Sequence, residues 1–276
     1  MNYQNMNRVG VVISRYYESL KWIEELTSNI DVYVYDRIGE SPGMGVPDAV
    51  SWSHPKDPKD NLGGLNIQKC KENGITLEVI NIPDDPGFEA STYIYHLYSK
   101  YNSLNDFTVC IQGHPQMYIK DVINILNNPE DLIHTTNLEG SSEDFAPVVR
   151  TLIESEIQFE PFCDHFARLY PNSEYQWSIY KSDFSKMPWF EYVKNMPGAI
   201  TDVNGRWIPP NSWRFGAGNQ FIVRKDLVHK KDIEFYKTLH QFVNTYLDPN
   251  GDARPNWQQL NQGPNIMEGT WGFIFK

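Results

Sequence analysis

Short apolar runs alternate with amphipathic stretches through the first half of the chain, and their spacing predicts the elements. RVGVVISRYY (8–17) is rich in β-branched residues and reads as a first strand. ESLKWIEEL (18–26) follows with Leu20, Trp22, Ile23 and Leu26 near helical spacing. DVYVYDR (31–37) alternates and reads as a second strand, and GITLEVINI (74–82) as a third. Between them, residues 39–64 are rich in Gly, Pro, Ser and Asp and predict a long loop, of the kind that tends to carry function. GFEASTYIYHLYSKYNSL (87–104) predicts a helix, with Tyr93, Leu97 and Tyr101 four apart on one face. DFTVCIQ (106–112) is the fourth strand and YIKDVINIL (118–126) the next helix.

This β-α-β-loop-β-α-β-α order predicts an α/β fold with a mainly parallel central sheet and helices on both faces. The second half is less regular. It predicts a helix near 148–156, an aromatic irregular stretch to about 213, a strand NQFIVRK (219–225) and a helix over 231–246. A Pro/Gly/Asn-rich segment (248–264) leads to IMEGTWGFIF. No shift in composition marks a boundary and no repeat is evident, so one domain over 1–276 is expected.

Composition narrows the partners. With 24 Lys plus Arg against 35 Asp plus Glu the net charge is −11, which disfavours an extended nucleic-acid or anionic-membrane surface. Three widely spaced cysteines, Cys70, Cys110 and Cys163, form neither a disulfide framework nor a zinc pattern and fit a reducing compartment. The N-terminal MNYQNMNRVGVVISRYY lacks a signal-peptide apolar core, and no apolar stretch has the length of a membrane span. A soluble, cytoplasmic protein is expected. Eight Trp and sixteen Tyr offer faces that stack on sugars or bases, although core packing is the commoner use of any one of them.

Candidate chemistry gathers at strand ends. The fourth strand stops at Gln112-Gly113-His114-Pro115, and open α/β sheets bind ligands beyond such carboxyl ends. His114 could ligate a metal or contact a diphosphate, and Gln112 could hydrogen-bond a sugar hydroxyl; the plain alternative is a glycine turn with an exposed His. Cys163-Asp164-His165 has three ligand types in succession, but adjacent side chains rarely converge on one ion. WRFGAGNQFIVRKDLV (213–228) has glycines flanking Ala217 and a strand ending in Arg224-Lys225, readable as a ligand loop or as a turn into a buried strand. Phosphate-loop, HExxH, GxSxG and strand-following GxGxxG motifs are absent from the sequence.

Four segments occur in order: VVISRYYESLKWI (11–23), GFEASTYIYHLYSKYNSLNDFTVCIQGHP (87–115), FGAGNQFIVRKDLVHKKDIEFYKTL (215–239) and MEGTWGFIF (267–275). Together they resemble a glycosyltransferase-like family of bacteria, fungi and large DNA viruses. Its members share a V-V-x-R-Y-x-E-x-L-x-W-L opening, a G-R-E-A-x-T-Y-L helix, a strand ending F-L-Q-G, a G-A-Q-F-x-V-S-R block and a closing E-x-x-W-x-x-I-F. Phe88 stands where the family has Arg, Asn219 lengthens the third block, and 130–210 has no counterpart.

The resemblance implies a GT-A-like, Rossmann-type domain, with a nucleotide-sugar-binding half (1–128) and an acceptor-side half (129–276). It implies a donor set of Ser14, Arg15, Tyr16, Glu89, Gln112, Gly113, His114 and Arg224, and an acceptor set of Trp213, Arg214, Phe215 and Gln220. Glu268, followed by Trp271, would be the catalytic base. No acidic pair stands at the 112–115 corner, so the expected enzyme is inverting and metal-independent, with Arg15, Arg214 or Arg224 meeting the diphosphate. No cofactor is required on this reading; a Mn or Mg requirement is the first alternative, together with a hydrolase using His114, Asp164 and His165. A carbohydrate-binding protein without catalysis is the other.

Overall fold

The computed structural model describes residues 8–16, 18–27, 30–38, 62–83, 88–117, 119, 122–128, 159–161, 166–169, 200–201, 207–208, 213–216 and 220–245, with positions 267, 271, 274 and 275. Expectations for most of the 39–64 loop, the 148–156 helix, Cys163-Asp164-His165, the 248–264 segment and Glu268 lie outside these residues.

A six-stranded sheet of order β3-β2-β1-β4-β10-β5 organises the chain. Strands β1 (Val9–Arg15), β2 (Asp31–Ile38), β3 (Thr76–Pro83) and β4 (Phe107–Gln112) are mutually parallel. The last two, β5 (Phe159–Pro161) and β10 (Phe221–Arg224), join antiparallel beside β4. The fold class is therefore α/β with a mostly parallel sheet. All seven residues of β1 are buried, as expected of a strand with neighbours on both edges and helices on both faces. Two short antiparallel pairs complete the described strands: β6 (Phe166–Leu169) with β9 (Trp213–Gly216), and β7 (Ile200–Thr201) with β8 (Trp207–Ile208).

Alternate residues of each strand enter two cores. Val12, Tyr35, Cys110 and Phe221 pack against α2 (Phe88–Ser99), α5 (Ile233–Thr245) and the C-terminal residues Met267, Trp271, Ile274 and Phe275. Val11, Ile13, Val34, Val109 and Ile222 pack beneath a 3-10 turn (Lys21–Glu25), α1 (Ile67–Glu72) and α3 (Val122–Asn127). Between β10 and α5, α4 (Lys225–Val228) is a single turn.

Several expected elements change on folding. The 18–26 helix is only a 3-10 turn, with Leu20, Trp22, Ile23 and Leu26 buried against the sheet. The helix expected over 118–126 begins at Val122, behind a separate 3-10 turn at Pro115–Met117. Helix α1 was not anticipated. Asn66 caps it by accepting from Lys69 N–H, and Gly74, at φ +78°, ends it in the left-handed conformation that glycine tolerates.

Candidate active site

The strand order 3-2-1-4 reverses direction between β1 and β4, so their carboxyl ends bound a crevice. Ser14, Arg15 and Tyr16 arrive there from β1, and Gln112, Gly113 and His114 from β4; Ser14 and Gln112 are register partners. The crossover from β3 brings the N-terminus of α2 to the same end, with Glu89 in its first turn. Gln112 Nε2 donates to Glu89 Oε1 at 3.2 Å, so the two expected donor-side residues meet.

Gly113 is close-packed. A Cβ there would lie 2.9 Å from Glu18 Oε2 and 3.0 Å from its Cδ. Its carbonyl accepts from Trp22 Nε1 at 2.9 Å, and Glu18 Oε2 accepts from Tyr16 N–H at 2.7 Å. These contacts lock the β1 loop onto the β4 corner. His114 is exposed beside them. No side chain at 112–114 is a carboxylate, but folding brings Glu18 and Glu89 to that corner from other elements.

Arg15, expected on the donor side, lies within the strand-end packing. Its side chain is fully buried; Nη1 reaches Asp36 Oδ1 at 2.8 Å and Nε donates to the Glu18 carbonyl at 2.7 Å. The parallel register that sets Arg15 beside Asp36 makes this pair part of the strand-end scaffold. Ser14 is likewise buried, its hydroxyl 3.1 Å from Thr92 Oγ1. Arg37, buried at the end of β2, donates to the same Thr92 oxygen at 3.0 Å, and its guanidinium stands 5.0 Å from the centre of the Tyr16 ring. Guanidinium over an aromatic face is favourable.

Arg224 stands apart from the other expected donor-side residues. Because β10 runs antiparallel to β4, Arg224 pairs with Phe107, at the amino end of β4. At ~3.3 Å per residue that is roughly 16 Å along the strand from Gln112. Its Nε donates to Asp226 Oδ1 at 2.8 Å. The same reversal carries Gln220 to the crevice end, next to Phe221, which pairs with Cys110. Gln220 is 1% exposed. Trp213, Arg214 and Phe215 lie on β9, paired with β6 in a separate two-stranded sheet. Glu268 is not described, but its neighbours are: Met267 and Trp271 are buried, and Trp271 packs 4.6 Å from Phe221 between ring centres. Trp271 is thus a core residue of the face that carries α2.

Sequence reasoning missed Glu18, Asp36, Arg37 and Thr92. Asp36-Arg37 carried a usable signal, since it ends the second apolar run as Gln112-Gly113-His114 ends the fourth. A further polar cluster lies between α2 and α5: Ser91 Oγ is 2.9 Å from His240 Nε2, and Asn244 Nδ2 is 3.1 Å from Ser91 Oγ and 3.2 Å from His240 Nε2. Ser91 is fully buried, and these contacts clasp α2 to α5.

Among the described residues, no group of three or more His, Cys, Asp or Glu is arranged to hold a metal ion. None of their helices is long and apolar enough to cross a membrane. Cys70 and Cys110 are free and buried. No protein-family model matches the chain, and no curated protein matches it.

Proposed function

We propose that the chain is a glycosyltransferase of GT-A type, moving a sugar from a nucleotide-sugar donor to a hydroxyl acceptor. The observation that carries this reading is the crevice at the β1–β4 reversal, where two strand ends and the start of α2 bring polar side chains together. The ordered resemblance of four segments supports it, because all four supply this crevice or the face behind it.

Glycosyl transfer must neutralise a leaving diphosphate and, with inversion, remove a proton from the acceptor hydroxyl. For the first need, His114 stands exposed at the rim, and the buried Arg37 guanidinium supplies positive charge behind Tyr16 on the β1–β2 side. Arg15 supports this side from below through Asp36. We assign the diphosphate to side chains, without a held metal, and the proton to Glu268. The segment of Glu268 is anchored by Met267 and Trp271 to the core beneath the crevice.

Titration with UDP-, GDP-, CMP- and dTDP-sugars, with chelator and with Mn²⁺, tests the reading. Binding of one nucleotide class in chelator supports it. Binding only with Mn²⁺ replaces the metal-independent part, and sugar binding without any nucleotide preference or turnover favours a carbohydrate-binding protein. Glu268→Gln should lower kcat by at least about 100-fold with KM little changed.

A further inference from the structure

Two buried polar side chains at the crevice end have no hydrogen-bond partner among the described residues. One is the hydroxyl of Tyr93; the other is Gln220, both of whose amide atoms are unmatched. Tyr93 is 0% exposed and Gln220 1% exposed. Buried polar groups are nearly always paired, because burying them unpaired costs free energy, so each such group calls for a partner. Neither is isolated in the fold. Tyr93 lies one turn beyond Glu89 on α2, and helical side chains lean toward the helix N-terminus, which here is the crevice end. Burial, reinforced first by the nearby charge of Glu89 and also by that of Glu18, holds its phenol protonated, so it stays a donor. Its ring packs edge-on against Phe221, the residue after Gln220, with centres 5.8 Å apart.

We propose that the Tyr93 hydroxyl and the Gln220 carboxamide are ligand-reading groups that bind the hydroxyls of a pyranosyl ring at the carboxyl end of β4. The chemistry selects that ligand class. A carboxamide offers one donor edge and one acceptor edge side by side, and each sugar hydroxyl both donates and accepts. The Glu89 carboxylate, bonded to Gln112 and close to Tyr93, disfavours a diphosphate here, whereas a neutral polyol meets no such repulsion. The glycosyl part therefore sits toward β4 and α2, and the phosphates toward Arg37 and Tyr16. This assignment rests on the glycosyl-transfer reading and adds to it which side chains recognise the sugar. A site whose buried polar groups need the ligand's hydroxyls also rejects analogues that lack them.

Tyr93→Phe and Gln220→Met remove the polar atoms and keep the volume. Urea midpoints of the ligand-free variants are compared with wild type. Calorimetric titrations then use UDP-glucose, UDP-galactose and GDP-mannose, the free nucleotides UDP and GDP, and the oligosaccharides maltotriose and cellobiose. The expected result is a midpoint equal to or above wild type, since an unmatched buried group is lost. Affinity for the nucleotide sugar that wild type binds falls roughly 10–100-fold, while affinity for its free nucleotide is kept. A loss confined to the oligosaccharides supports the same chemistry with the acceptor as the source of the hydroxyls. Lowered midpoints, or unchanged affinity for every glycoside, overturn the assignment alone. A wild type that binds none of these probes and no CMP- or dTDP-sugar overturns it together with the glycosyl-transfer reading.

Discussion

His96 gives the fold a specific acid sensitivity. It sits on α2, 1% exposed, with Nδ1 2.9 Å from the Tyr35 hydroxyl and its ring 4.8 Å from that of Tyr33. Burial, with a smaller push from the Lys100 charge, lowers its pKa from 6.5 to about 3. Above about pH 6.5 neither the folded nor the unfolded chain protonates this ring. Below it the unfolded chain takes a proton that the folded chain refuses, so stability falls by ~1.36 kcal/mol per pH unit until the folded ring titrates. Between pH 7 and 5 the loss is about 2 kcal/mol. The result is insensitive to the folded value: raising it to about 4 changes the loss by less than ~0.1 kcal/mol. Glu24 and Asp226, held low first by hydrogen bonds from Asn66 N–H and Arg224 respectively, add losses only below about pH 4.5 and stay out of this window. Urea unfolding of wild type and His96→Gln at pH 7, 6 and 5 isolates the effect, since Gln does not titrate. The wild type should lose about 2 kcal/mol more than the variant over that range. Parallel pH profiles would show that His96 protonates normally in the fold and refute the reasoning.

Two other perturbations follow from the strand-end scaffold. Gly113→Ala drives a Cβ into the Glu18 carboxylate that holds Tyr16, and should cost about 1–3 kcal/mol and weaken ligand binding; adding Glu18→Ala should restore part of the stability, as urea midpoints of both will show. Asp36→Asn removes the charge that meets Nη1 of the fully buried Arg15 and should cost about 3 kcal/mol. The Arg15→Met, Asp36→Asn double variant should recover much of that loss in the same measurement, because both charges of the pair are then removed.

The sequence made the central strands legible because strands buried on both faces read as unbroken apolar runs, as VGVVISR and FTVCIQ do. The end of β4 could be anticipated for the same reason, while only the family resemblance set Glu89 beside it. Pairing could not be read. Arg15 looks like a phosphate contact by charge alone, and only the β1–β2 register reveals Asp36 beside it. Arg224 and Gln220 exchange ends because β10 runs antiparallel, a choice of direction that no local pattern encodes. Helix α1 escaped notice because six residues with Cys70 alone buried present no periodicity, although Asn66 and Gly74 mark its ends. Tyr93 reads as one more core aromatic on the face with Leu97. Its hydroxyl becomes informative only once the fold shows which partners surround it.

The central claim is that the β1–β4 crevice takes a nucleotide sugar through side chains. Calorimetric titration of the purified chain with UDP-, GDP-, CMP- and dTDP-sugars in excess chelator tests it most directly. The account predicts saturable binding of one nucleotide class, unchanged when Mn²⁺ replaces the chelator and weakened in Gly113→Ala. No binding of any nucleotide sugar under either condition would contradict it.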